Sequence, residues 1–212
     1  MKLPEDIQEL FYKTLSGDVT PLAFEQWLYT DNRLETLLPS SDYLDLISYG
    51  YKGEQVKYGL YQLLEKHIEK GDYEKWKLLK LLYKALQRDE SLPQILMHLY
   101  ELYWKGYDFL NDLALRYGLQ LEVPYGLADS WDQLSQHEQH TLLNSLNPNL
   151  PADIQRVIGW LENEQVVLTG KQNEYGHYLF IDNRTTEERK SRYESVELAV
   201  ASSKPWWIFW QR

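Results

Sequence analysis

His137-Glu138-Gln139-His140 is the stretch of this 212-residue chain that comes closest to a metal-binding pattern. Two histidines three apart share one face of a helix. The zincin helix needs them four apart, with the glutamate directly after the first, so the pattern here is one residue short. No third ligand is visible in the sequence. The pair reads as two exposed histidines early in a helix, and neither a metal nor a cofactor is expected. Three carboxylate pairs have helix-face spacing: Asp42/Asp45, Asp108/Asp112 and Asp129/Asp132. Two acids across a cleft can hydrolyse a glycoside, but local pairs of this kind read as helix caps and solubilising charge. There is no GxSxG elbow, no GxGxxG loop and no GxxxxGK[ST] loop. Gly170-Lys171 falls in an expected hairpin turn. Cysteine is absent, which removes thiolate nucleophiles, cysteine metal sites and disulfides. His67, His98 and His177 stand alone and read as structural. These residues point away from an enzyme.

The charges, taken alone, read first as those of an acidic protein kept soluble, with attraction to a basic partner as the second reading. The net charge is −10, unevenly spread. Residues 1–51 carry nine acids and three bases, and residues 91–150 carry seven acids and two bases. Between them, residues 52–90 carry seven acids and nine bases. An acidic surface repels nucleic-acid phosphates and attracts basic proteins. The row Lys77, Lys80, Lys84 and Arg88 lies on one face of an expected helix and reads as a solvated outer face. With 17 Tyr and 8 Trp, the chain has much large side-chain surface for a core or an interface. The beginning MKLPEDIQEL carries acids early and lacks a long apolar run, so no signal peptide is expected there. No run of eighteen apolar residues suggests a membrane span. A cytoplasmic protein without membrane contact is expected.

The elements that must position these residues are mainly helical. Ser91–Gly118 has the densest apolar pattern, with Leu92, Ile95, Leu96, Leu99, Leu102 and Tyr103 at three- and four-residue steps. Ser91 with Gln94 resembles a capping box, and Gly106 suits the end of the helix. Phe109, Leu110, Leu113, Ala114 and Tyr117 follow at once, which predicts an antiparallel helix pair. Upstream, a helix is expected over 4–15, and a second begins at Pro21 under a Thr20 cap. Ser41 and Asp42 cap a segment over 43–49 with Leu44 and Ile47 inward. Two longer helices, 54–70 and 72–88, are separated by Gly71. In the later one, Trp76, Leu79, Tyr83 and Leu86 share a face.

After Pro124 a different module begins. Ser135 with Glu138 opens a helix to about Leu146, a second helix covers 151–163, and strands over 166–169 and 177–181 form a hairpin. Residues 185–200 are expected to be partly helical, with Val196 and Leu198 as anchors. Trp206, Trp207, Ile208, Phe209 and Trp210 are expected as a last buried strand. The fold class is therefore mainly α (α+β). A multi-helix part over 1–120 would pack on a helix–helix–hairpin module over 128–212. That module has the element order of a winged helix, which supplies a rival reading: a nucleic-acid-binding or regulatory protein using Arg156, Lys171 and Arg184. Arg156 alone, against Asp153 and Glu162, is a thin set of phosphate contacts. A structural subunit of a complex is the remaining alternative.

The stretches FEQWLYTDNRLETLL (24–38), YLDLISYGYK (43–52), LPQILMHLYELYWKGYDFLNDLALRYGL (92–119) and WDQLSQHEQHTLLNSLNPNLPADIQRVIGWLENEQVVLTG (131–170) carry a resemblance. Together they resemble mainly helical, acidic bacterial proteins grouped with the immunity proteins of polymorphic and contact-dependent toxins. The shared features are core aromatics and caps, and no family binding residue maps onto a position here. The resemblance implies a non-enzymatic inhibitor that binds and blocks a cognate toxin domain. An acidic, aromatic-rich chain suits a basic, nuclease-like toxin. The expected contact residues are Asp108, Asp112, Glu122, Asp129 and Asp132, several of them on loops beside Pro124.

Overall fold

The computed structural model describes residues 3–53, 55–124, 126–146 and 149–190. It is mainly helical with one small antiparallel sheet. Val196, Leu198 and the tryptophan-rich end lie outside the described residues. No helix among the described residues is long and apolar enough to cross a membrane. The chain divides into two compact units between Trp76 and Lys77. The loop at Pro124, after which the sequence suggests a different module, falls within the second unit. The helix pair of 92–122 shares its core with the C-terminal module, and that shared burial draws the two into one unit.

The first unit is built from short helices. α1 (Glu5–Ser16) has Glu5 and Asp6 in its first turn, where the helix dipole favours acids. Its residues Ile7 and Phe11 are buried, and the Phe11 ring meets Phe24 of α2 (Pro21–Thr30) edge to face at 5.8 Å. Thr20 caps α2 as expected, its hydroxyl accepting from the Ala23 N–H at 3.2 Å. α3 (Arg33–Leu37), α4 (Ser40–Ile47) and α5 (Val56–Glu65) close the core through Leu34, Leu46, Leu60 and Leu64. Helix α4 starts three residues before the expected segment, behind Pro39, with no side-chain cap. Leu46 is its buried leucine, while Leu44 is 60% exposed.

Helix α6 (Lys70–Gln87) runs through Gly71, so the expected break is wrong. The chain breaks instead at Lys66–Glu69, before Gly71, where glycine's flexibility plays no part. The buried row of α6 in the second unit is Leu78, Leu82 and Ala85; Tyr83 is exposed. The predicted stripe was therefore one position out of phase.

In the second unit, α7 (Leu92–Trp104) buries Leu92, Ile95, Leu96 and Leu99. Ser91 does not form its capping box. Its N–H donates to Asp89 Oδ1 at 2.8 Å instead. Gly106, at φ +109°, turns the chain, and the Tyr107 N–H donates to the Leu102 carbonyl. A return segment follows: a 3-10 turn (Asp108–Leu110), α8 (Asn111–Leu113), a π-helical turn (Ala114–Gly118) and α9 (Leu119–Glu122). It packs antiparallel on α7, as predicted. Gly118 is the point of closest approach, since a Cβ there would lie 2.5 Å from the Leu96 carbonyl oxygen. Only glycine allows the two backbones to sit this close.

α10 (Gln136–Ser145) and α11 (Leu150–Glu162) come next, then β1 (Val166–Gln172), β2 (Tyr178–Asp182) and the single turn α12 (Thr186–Arg189). Ser135 and Glu138 complete the predicted capping box. The strands pair antiparallel with Val167 opposite Ile181 and Leu168 opposite Phe180, and the ladder shifts between Leu168 and Gln172. Tyr178 and Phe180 face inward, stacking on Tyr107 at 5.0 Å and meeting Phe109 at 5.0 Å. Leu179 and Ile181 remain exposed on the other face.

Candidate functional site

The structure separates the five expected contact residues. Asp112 is 5% exposed, and its Oδ2 accepts from Arg156 Nη2 at 2.6 Å. It is an interior group, which corrects its place on a contact surface. The helix pair turns Asp112 inward toward α11, where Arg156 waits. Asp108 is exposed at the start of the return segment, and Glu122 is exposed at its end. Fourteen residues of helix put them about 20 Å apart at ~1.5 Å per residue. Asp108 thus sits with Trp104, which is 63% exposed, at the opposite end of the helix pair from Glu122.

Glu122, Asp129 and Asp132 form the coherent group. They border the loop from Val123 to Leu134, and all three are exposed. Pro124, Trp131 and Leu134 are buried and anchor the loop. Its backbone is held by bonds from the Leu127 N–H to the Pro124 carbonyl at 3.0 Å and from the Leu134 N–H to the Trp131 carbonyl at 3.1 Å. Gln139 on α10 donates to the Trp131 carbonyl at 3.1 Å, tying the loop to the next helix. On this anchored loop Val123 and Leu127 are 50% and 54% exposed. Two apolar side chains therefore stand among three carboxylates. Among the described residues none of these carboxylates meets a cation. This pairing of apolar anchors with acids is suited to a protein partner.

Three arginines of this unit, Arg116, Arg156 and Arg184, are engaged internally. Fully buried Asp153 on α11 receives Arg116 Nη1 at 3.1 Å and the Tyr117 hydroxyl at 2.7 Å on one oxygen. Arg156 Nη2 lies 3.4 Å from the other. Burial, together with the bond to Asp153, drives the Tyr117 pKa well above its usual range. The π-helical turn aims consecutive residues, Arg116 and Tyr117, at the same acceptor. Arg184 is 8% exposed, pairs with Asp182 and lies 4.4 Å above the Trp160 ring. Arg184 holds the Asp182 carboxyl below its usual range. Two of the three cations proposed for phosphate contact, Arg156 and Arg184, are thus committed to acids of the same chain. Lys171 alone is exposed. His137 and His140 are exposed on α10, and no group of three metal-ligating side chains occurs among the described residues.

The sequence reading missed a second place. His67 and Asp42, 25 residues apart, meet in the first unit with Nε2 3.3 Å from Oδ2. They line a cavity of about 700 Å³ with Leu37, Leu38, Pro39 and Ile68. Burial moves the His67 pKa down, Asp42 opposes the shift and Lys66 adds to it. No sequence pattern signals this pair, because it exists only when the first turn of α4 meets the α5–α6 link. Compared with protein families, curated proteins and solved structures, the chain matches none.

Proposed function

We propose that this chain is a non-enzymatic inhibitor that binds and neutralises a cognate bacterial toxin domain, a basic one, through the Glu122–Leu134 loop. The observation that carries the reading is the uneven use of charge. Arg116, Arg156 and Arg184 are occupied by internal carboxylates, while Glu122, Asp129 and Asp132 stand without cations around exposed Val123 and Leu127. A surface of this kind offers apolar area to anchor a partner and acids to steer a basic one into place. It does not favour nucleic acid, because phosphate binding needs free cations. The resemblance to immunity proteins supports the same reading.

The test is co-expression with a toxin domain encoded next to this gene. Growth rescue by the wild-type chain, and loss of rescue with Asp129→Lys and Asp132→Lys in a chain that melts as wild type does, would uphold it. Toxicity that persists with abundant inhibitor would defeat the reading. Rescue that survives both reversals would keep the function and reject this surface.

A further inference from the structure

The cavity of about 700 Å³ in the first unit lies where the chain before α4 meets the chain between α5 and α6. Its size falls within the range of small-molecule sites. Leu37, Leu38, Pro39 and Ile68 give it an apolar wall. The polar groups set into that wall are Asp42, whose side chain is 26% exposed, His67, at 11%, and Gln8, whose Nε2 donates to the Leu3 carbonyl. Asp42 accepts from the Ser41 hydroxyl at 3.2 Å on one oxygen and faces His67 at 3.3 Å on the other. Neither partner is a permanent cation. Burial favours the neutral imidazole, so its positive charge does not offset the carboxylate at neutral pH. Lys66 and Glu69, both exposed, also border the cavity and carry opposite charges. A half-buried carboxylate beside an apolar wall, with no lysine or arginine within ion-pair distance of it among the described residues, is matched by a ligand that brings a cation.

We propose that this cavity binds a small organic cation, an aliphatic amine or guanidine, with its charged head at Asp42 and its stem along Leu37, Leu38 and Pro39. The site belongs to the first unit and the loop surface to the second, and its ligand need not be the inhibited partner.

The experiment titrates the full chain with n-pentylamine, n-pentanol and pentanoate, following methyl and imidazole resonances by NMR. Pentylamine should give saturable shifts at Leu37, Leu38, Ile68 and His67, with an affinity about tenfold or more above that of pentanoate, which is ~1.4 kcal/mol. Asp42→Asn should abolish that preference in a chain with unchanged circular dichroism. Should the variant fail to fold, the comparison of the three ligands on the wild type decides alone. Equal binding of amine and carboxylate would overturn the proposal. So would the absence of saturable shifts at these residues, or an amine preference that survives Asp42→Asn.

Discussion

Asp153 has no exposed surface, yet Arg116, Tyr117 and Arg156 converge on it. Removing one partner of such a set leaves the others buried without compensation. Asp153→Ala is therefore expected to lower unfolding free energy by about 3–5 kcal/mol in urea titration. A loss below ~1 kcal/mol would mean that water already screens the arginines. At His67 the sign follows from burial. The folded chain resists a proton that the unfolded chain accepts near the ordinary value of 6.5. The stability tied to His67 is thus complete above that pH and is lost as pH falls through 6.5 toward the lower folded value. Unfolding free energies measured from pH 8 to pH 5 should fall more steeply for wild type than for His67→Gln. Parallel curves would refute the assignment. Neither group announces itself in the sequence. Asp153 reads there as an acid set against Arg156 and His67 as an isolated histidine, because their distant partners come from segments 25 to 37 residues away.

The helix pair, the Thr20 cap, the Ser135 box and the strand pairing of β1 with β2 follow from local chemistry, and the sequence displays them. What it hides is phase and punctuation. Gly71 reads as a stop but is the second residue of α6, in the first turn, where the helix-interior cost of a glycine, about 1 kcal/mol, does not apply. Leu44 and Leu46 are both plausible core residues by type, and only the start of α4 behind Pro39 decides that Leu46 goes in. Of the five expected contact residues, the exposure of the loop acids Glu122, Asp129 and Asp132 was legible. The inward turn of Asp112 was not, because a helix-face spacing does not say which face is covered. Two element-scale outcomes follow. Ser135→Ala should cost about 1 kcal/mol, the usual worth of an N-cap. It should raise amide exchange in the first turn of α10, a helix without a buried residue of its own. Gly118→Ala should cost about 1–3 kcal/mol through overpacking against the Leu96 carbonyl. A neutral result in urea would show that α7 and the return segment can slide apart.

For the whole molecule, a net charge of −10 sets how it meets other macromolecules. Association with a basic partner should slow markedly as ionic strength rises, because salt shortens the reach of steering charges to about 8 Å at 0.15 M. Stopped-flow association at low and high salt reads this directly. An on-rate indifferent to salt would assign recognition to Val123 and Leu127 alone. The buried ionic set has a further consequence, in the order of assembly. The α7 pair closes over a few residues, but the bond from Arg156 to Asp112 spans 44 positions. During synthesis the pair can form while α11 is still unmade, with Asp112 and Arg116 still in water. Docking of α11 is then the step at which those charges lose their hydration and gain their partners together. A nascent chain halted before residue 150 would hold a hairpin with a charged, wet flank, and arrival of α11 would seal it.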